Sequence, residues 1–595
     1  MIIRRLLFTN YILIISVLLI FSRPSFTQEN TETVMFKAMK DELDRNMKKL
    51  VYKDNKGPFY ISYTIEDIKT LFVSGILGAL SNSSEKHFRN WMNRVLAGDY
   101  QLNDENFVDA TRRKPSRDGN LEMPLDDDYY GIRRALWMMT NNTYKSAAEN
   151  YKNKLEALND KNLGKKDLQI PDFCITPVVK MSIPDPDYKW NKSYLETLVK
   201  SVSQTFKNYP DILYSVASAY QIHADLYFYS SEECQIKTPF DLIFFSVSAY
   251  CQADDGENMS DELRYFRNST NGLPMLDSLK EDAKILALNL INKKKSPVLT
   301  ENYSGPVLFL GQAVAEVFTQ GLFSGTDNLF AYREPLYNSS QMSMYYGQNV
   351  NSLESKIGKS IMAKNITIKD LSRLKVYNGS ELIGAYDADA EGVIPTDTIE
   401  LIDRGILKNL YNGRTPTRSM GASNGHRRYT VQGGGITSDL GPGVLFINTT
   451  DGKSIEELKK DLIKTAKEDD LDYAIIVRPV KQGDFYNPLN FYKVSVSDGK
   501  EELLRSASFN PITITSLKKI IAASSTSIVY NTLIKPEPNP EDDEGNVLNS
   551  QDAIPTGIPV SYITPNGLLL KEVQFEHQTK PLSTDRPIVK NPLIK

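Results

Sequence analysis

Histidine and cysteine are scarce in this chain, with four of the first and three of the second among 595 residues. Cys174, Cys234 and Cys251 are too few for a disulfide-rich scaffold. Each histidine, at positions 87, 223, 426 and 577, stands more than a hundred residues from the next. Peptidase zinc sites usually take closely spaced histidines, so no conventional zinc site is expected. A basic excess is missing too: the net charge is -4 and the pI near 5.9. That gives no global field for a phosphate backbone, and the cluster His426-Arg427-Arg428 is too short to replace it, so no nucleic-acid partner is expected.

Long hydrophobic runs are also lacking beyond the first residues. Arg4 and Arg5 precede an apolar run from Tyr11 to Phe21, and Ser25 and Thr27 offer small residues for cleavage before Gln28. This is the layout of a secretory signal peptide over residues 1–27, too short for a comfortable membrane span of about 20 apolar residues. An exported protein of the periplasm or cell envelope is expected, with no stable span after cleavage; an uncleaved anchor is the competing reading. Export would let Cys234 and Cys251 pair across neighbouring strands, a choice the sequence leaves open.

What is present is the composition of a folded protein, 41% hydrophobic and 24% charged, on a chain long enough for two to four domains. Met35, Met39, Leu43 and Met47 recur every four residues and predict a helix over 33–50. Extended pieces follow at 58–64 and 71–80, and one long helix or two shorter ones at 132–158. Prolines 171, 177, 184 and 186 mark a linker or an extended edge before a helix at 192–208. Alternation with turns at 230–233 and 254–256 predicts an antiparallel meander over 212–252, and Leu279–Ile291 a helix. Further on come a hairpin around Asp403-Arg404-Gly405, a helix from Ile455 capped by Ser454 with Glu457, strands at 473–477 and 491–496, a loop at 535–552, and a last strand pair, 558–562 with 568–575.

The fold class is α+β and multidomain: a helix-rich N-terminal region, a mixed middle domain and a strand-rich C-terminal domain. The segments are 1–27, 28–205, 206–299, 300–577 and a tail, 578–595.

The chain centres on Tyr303–Gly325, where an apolar strand turns at Gly311 into an amphipathic helix. Leu310, Ala313, Val314, Val317, Phe318 and Leu322 share one face, and Gln312, Glu316 and Thr319 the other. Gln312 and Glu316 either line a groove or belong to a solvated helix face. Gln312 is no general base, since an amide takes up no proton near neutral pH. Asp387-x-Asp389-x-Glu391-Gly392 imitates the first half of a calcium loop but meets Thr398 at the twelfth position, so a solvated acidic hairpin is the expected structure. Arg427 and Arg428 offer a grip for a peptide carboxylate.

Four separated motifs resemble the TldD/PmbA family of modulator-of-gyrase proteins and metallopeptidases: YSGPVLF at 303–309, YDADAEGV at 386–393 with IDRGILKNL at 402–410, SNGHRR at 423–428 and PNGLLLKEV at 565–573. The resemblance spans roughly residues 210–577, and PFYISY, GDYQL and RRALW before it look like the extension of exported members. In zinc-bearing members the helix carries His-Glu-x-x-x-His, and a cysteine near the C-terminus completes the site. Here those positions hold Gly311, Gln312 and Glu316, and no cysteine lies beyond Cys251. The resemblance therefore implies a TldD/PmbA-type fold without its metal: no cofactor of its own, zinc only in a partner subunit, and no catalytic residue. The implied role is that of a zinc-less member pairing with a zinc-bearing TldD-like paralogue, or with itself, in a peptide-degrading assembly. An active peptidase with an unorthodox site, and an envelope protein that binds peptides by strand addition, are the alternatives.

Overall fold

The computed structural model describes residues 33–53, 55–109, 123–159, 168–185, 190–324, 327–337, 351–478, 490–535 and 554–577, with positions 488, 587, 589 and 591–594. The signal-peptide segment, the expected loop at 535–552 apart from Lys535, and most of the tail lie outside them. Helix α1 (Val34–Lys49) begins where Thr33 accepts a hydrogen bond from the Phe36 amide, and it buries Met35, Met39 and Leu43 as their spacing predicts. Strands β1 (Tyr60–Ile76) and β2 (Ala79–Leu96) form a long hairpin. The two extended pieces expected at 58–64 and 71–80 are largely one strand. Glu66, Asp67 and Lys69 interrupt the apolar pattern, but the backbone there pairs on both sides.

Next come α2 (Tyr129–Asn159), β3 (Lys180–Ser182), α3 (Lys192–Ser203), β4 (Tyr214–Ser230), β5 (Gln235–Gln252), β6 (Asn258–Arg267) and α4 (Leu276–Lys294). The expected meander is present, in longer strands. The sheet runs β2-β1-β4-β5-β3, with β6 also on β5, so it takes strands from both sides of position 205. One face packs on two helix pairs. Phe36, Met39, Ile132 and Leu136 meet Ile61, Tyr63 and Ile65, while Leu195, Val199, Leu286 and Leu290 meet Val73, Ala219 and Phe245. The choice left open for Cys234 and Cys251 falls against pairing: they sit at opposite ends of β5, roughly 50 Å apart at about 3.3 Å per residue, and all three cysteines are buried free thiols.

The C-terminal half opens with β7 (Tyr303–Leu310) and α5 (Gln312–Phe323). Then follow β8 (Ile366–Asp370), β9 (Ile399–Asp403), β10 (Ile406–Leu407), β11 (Arg427–Gln432), β12 (Gly435–Leu440), β13 (Val444–Thr449), α6 (Ile455–Glu468), β14 (Tyr473–Val477), β15 (Phe491–Ser495), β16 (Glu501–Leu504), β17 (Ala507–Phe509), α7 (Ile514–Lys518), β18 (Ile520–Ala523), β19 (Ser527–Ile534), β20 (Ile558–Pro565) and β21 (Gly567–His577). They build two large sheets, β16-β15-β14-β7-β21-β17 with β18 on β21, and β10-β9-β8-β13-β20-β19, with β11 and β12 paired as a separate hairpin. Val314 and Phe318 of α5 share one core with Val307 and Ile475 of the first sheet and Leu401, Leu445 and Tyr562 of the second. The expected pairing of 558–562 with 568–575 is therefore corrected: β20 and β21 belong to different sheets. Apolar alternation marks both as strands but does not say which strand each joins.

The other face of the N-terminal sheet, with Ile68, Ile222 and Phe244, packs on Tyr429, Val431 and Ile436 of the β11–β12 hairpin. Arg414 locks the two halves together. Its buried guanidinium donates to both oxygens of Glu232 at 2.8 Å and to the Cys174 carbonyl, over the Phe173 ring. Among the described residues no helix is long and apolar enough to cross a membrane.

Candidate functional site

Gly311 ends β7 with φ 61° and ψ -131°, a conformation L residues rarely adopt, and lets the chain turn straight into α5. A side chain there would meet nothing within 4 Å, so the turn borders open space. One residue on, Gln312 Nε2 donates to Glu316 Oε1 at 3.0 Å and reaches Tyr530 Oη at 3.3 Å. Tyr530 Oη donates to the same Glu316 oxygen at 2.9 Å. Below them Thr319 Oγ1 lies 2.6 Å from Tyr562 Oη. The polar side of α5 is thus turned inward onto β19 and β20, and a solvated helix face is excluded because Glu316 and Thr319 are both buried.

Burial pushes the Glu316 carboxyl up to about 7 against the hydrogen bonds of Tyr530 and Gln312. Arg264 and Glu262, on β6 of the other half, also act on it, in opposite directions. The helix therefore stands where the N-terminal sheet meets the C-terminal core. Tyr530 carried no sequence signal, being more than two hundred residues away on a strand with no motif.

The arrangement does not fit zinc. Gly311 supplies no donor atom, and Gln312 offers Glu316 a hydrogen where a metal ligand would offer a lone pair. Among the described residues, the one grouping of three His, Cys, Asp or Glu donors close enough for a metal is Asp185, His223 and Asp225, on the N-terminal sheet.

Of the two arginines proposed as peptide contacts, Arg427 stays partly exposed and donates to Ser438 Oγ and the Ser438 carbonyl. Arg428 is corrected. It is buried, donates to the carbonyls of Pro442 and Pro559, and lies 3.8 Å over the Tyr386 ring, so it fastens β11 to its neighbours. The acidic loop is corrected as well. Asp389 is sealed in and accepts from the amides of Glu391, Val393 and Arg427, while Glu391 is ion-paired with Arg94. Burial and the nearby Glu391 push the Asp389 carboxyl up. Burial also opposes the charge of Glu391, but Arg94, Arg427 and Arg414 hold it low. The loop is a brace between the two halves.

A second polar cluster escaped the sequence. Ser372 Oγ donates to Asp370 Oδ1 at 2.6 Å and lies 3.1 Å from His426 Nε2. His426 Nδ1 lies 2.9 Å from the Asn424 carbonyl and, since a carbonyl only accepts, donates to it. The residue types are those of a hydrolase triad, but the aspartate bonds the serine directly and all three side chains are buried. It is a structural knot.

Residues 306–537 match the family model for the PmbA/TldA metallopeptidase C-terminal domain. No curated protein matches the chain. Among solved structures, a candidate modulator of a DNA gyrase from Thermotoga maritima is similar with a TM-score of 0.56 and 12% identity, over 91% of this chain and 100% of that one. TldE from Thermococcus kodakarensis gives 0.51 and 14%, over 90% and 99%. A candidate modulator of DNA gyrase from Bacteroides thetaiotaomicron gives 0.53 and 11%, over 91% and 98%. At these identities the likeness is one of fold.

Proposed function

Because this chain belongs to the TldD/PmbA family and is metallopeptidase-like, we propose that it is an exported, non-catalytic member that pairs with a zinc-bearing relative in a peptide-degrading assembly. The observation that carries this reading is the closed triad of Gln312, Glu316 and Tyr530 at the positions where zinc-bearing relatives hold metal and base. A carboxylate that takes two donors from its own fold, beside a glycine, has neither the ligands nor the water-activating geometry of a zinc peptidase. The open space beside Gly311 and the partly exposed Arg427 are the surfaces left for a peptide. The arginine suits a carboxylate. Export rests on the first 27 residues, whose layout is that of a signal peptide.

The test is a peptide-cleavage assay on the purified chain alone and mixed with a His-Glu-x-x-x-His relative from the same organism, with co-purification of the two. The chain alone is expected to be inactive and to form a stable complex that cleaves. Cleavage by the lone chain that disappears in Glu316→Gln would overturn the reading. Metal content alone does not decide it, because the donors Asp185, His223 and Asp225 lie close enough together elsewhere on the chain to hold an ion of their own.

A further inference from the structure

We propose that Asp185, His223 and Asp225 form a binding site for a divalent first-row metal ion, with Asp241 orienting the histidine. The proposal is independent of the peptidase reading and concerns the opposite half of the molecule. One donor atom from each of the three residues lies within 4.8 Å of the others. Donors bound to a common zinc at about 2.1 Å stand roughly 3 to 4 Å apart, so small side-chain rotations close the set.

The sheet register builds the site. On β4, His223 lies opposite Asp241 of β5, and Asp225, two residues on, points from the same face. Asp185 arrives from the segment after β3 and brings Oδ2 to 3.4 Å from His223 Nε2. His223 is buried, with Nδ1 2.7 Å from Asp241 Oδ1. That carboxylate–imidazole contact fixes the proton on Nδ1 and aims Nε2 at Asp185, the orientation metal-ligating histidines take.

Two further observations point to a ligand. Asp185 Oδ1 is shielded from solvent and accepts no hydrogen bond, an arrangement expensive for a carboxylate oxygen unless a cation meets it. The balance of charge is also acidic. Among the described residues, Asp185, Asp225 and Asp241 surround the imidazole, and Lys237, 3.0 Å from Asp225 Oδ1 as an ion pair without hydrogen-bond geometry, is paired with one of them. One imidazole nitrogen with two carboxylates suits zinc or manganese better than magnesium or calcium, which favour oxygen alone. A bound ion would clasp the segment ahead of α3 to the sheet.

The probe is the full chain, stripped with chelator and titrated calorimetrically with zinc chloride, manganese chloride and magnesium chloride. One zinc or manganese per chain is expected, with no magnesium heat. Asp185→Asn and Asp225→Asn should each weaken binding at least tenfold. Asp241→Asn should weaken it about tenfold through the histidine alone. Melting supplies the second readout: the ion should raise the Tm of the wild type and leave that of Asp185→Asn unmoved. Asp185 is partly exposed outside the core, so this variant folds even where a change at His223 does not. Absence of stoichiometric binding by either ion overturns the site, and so does wild-type affinity in Asp185→Asn.

Discussion

Glu316 and Asp370 are carboxylates buried in the same C-terminal half, and their acidities move in opposite directions. Burial alone would push both up. Asp370 resists first because His426 lies 3.7 Å away, and then because Ser372 Oγ and the Gly443 amide donate to it, all holding the carboxyl below its ordinary value. Four donors meet it in all: Ser372 Oγ and the Val444 amide on Oδ1, and Tyr411 Oη and the Gly443 amide on Oδ2. Glu316 has two side-chain donors, Tyr530 and Gln312, both on Oε1, and its carboxyl rises to about 7. The lesson is that the partners of a buried carboxylate, here a neighbouring imidazole first and hydrogen-bond donors after it, decide more than its depth whether it keeps its charge. A site that resembles a disarmed active site holds the carboxylate that titrates near neutrality, while the charged one is architecture.

The largest expected break in this comparison is Asp370→Asn. An amide cannot accept from all four donors and leaves two of them buried without an acceptor, at about 1 to 3 kcal/mol each, so unfolding should become easier by about 3 to 5 kcal/mol. Urea denaturation at pH 7 measures it. Glu316→Gln should instead raise stability there, by up to about 3 kcal/mol, since the amide keeps the neutral form that burial favours without the proton the carboxyl must take up near pH 7. Equal losses in the two variants would show that the donors around Asp370 do not set it apart.

The second prediction concerns pH. Glu316 holds a proton in the folded state up to about 7 but only to about 4.5 when unfolded. Between those values the folded state binds the extra proton, so stability contributed by Glu316 is full below about pH 4.5 and declines as pH rises toward 7. The span is on the order of 3 kcal/mol at most. Asp370 has the opposite sign: its contribution is full above its ordinary value of 3.8 and is lost as pH falls through its lower folded value. Denaturation curves of wild type and Glu316→Gln between pH 5 and 8 should converge toward the acid end and separate toward the alkaline end. Parallel curves would remove Glu316 as the titrating group.

Much of the fold was legible where the signal is local. Ser454 and Glu457 form the capping box read from their spacing, and Arg404-Gly405 turn the hairpin with both φ angles positive. The strand–glycine–helix unit at Tyr303–Phe323 stands as expected. What failed was contact across long separations. Alternation predicted β20 and β21 but not their separate sheets. Acidity along 387–391 suggested solvent, because the arginines that neutralise it come from positions 94, 414 and 427. The candidate site shows the same division. Gln312 and Glu316 were found by their place in a motif, and what closes them, Tyr530, lies 218 residues from Gln312 in sequence. Arg428 stood in a basic run that looked exposed, yet only the tertiary fold places Pro442 and Pro559 around it.

The smallest effect is the sharpest test of the donor count. Tyr530→Phe keeps the ring and removes one of the two hydrogen bonds to Glu316, so it should cost about 0.5 to 1.5 kcal/mol. The informative part is the direction of the second change. With one donor gone the ionised carboxylate is less favoured, and the Glu316 titration should move further up while burial is unchanged. Tyr411→Phe at Asp370 removes one donor of four and should raise that carboxyl less, because three donors and His426 remain. Carboxyl titrations followed by NMR in the two variants compare the shifts directly. If Tyr411→Phe shifts Asp370 as far as Tyr530→Phe shifts Glu316, the number of donors does not explain the difference between the two carboxylates. It would then have to be sought in His426.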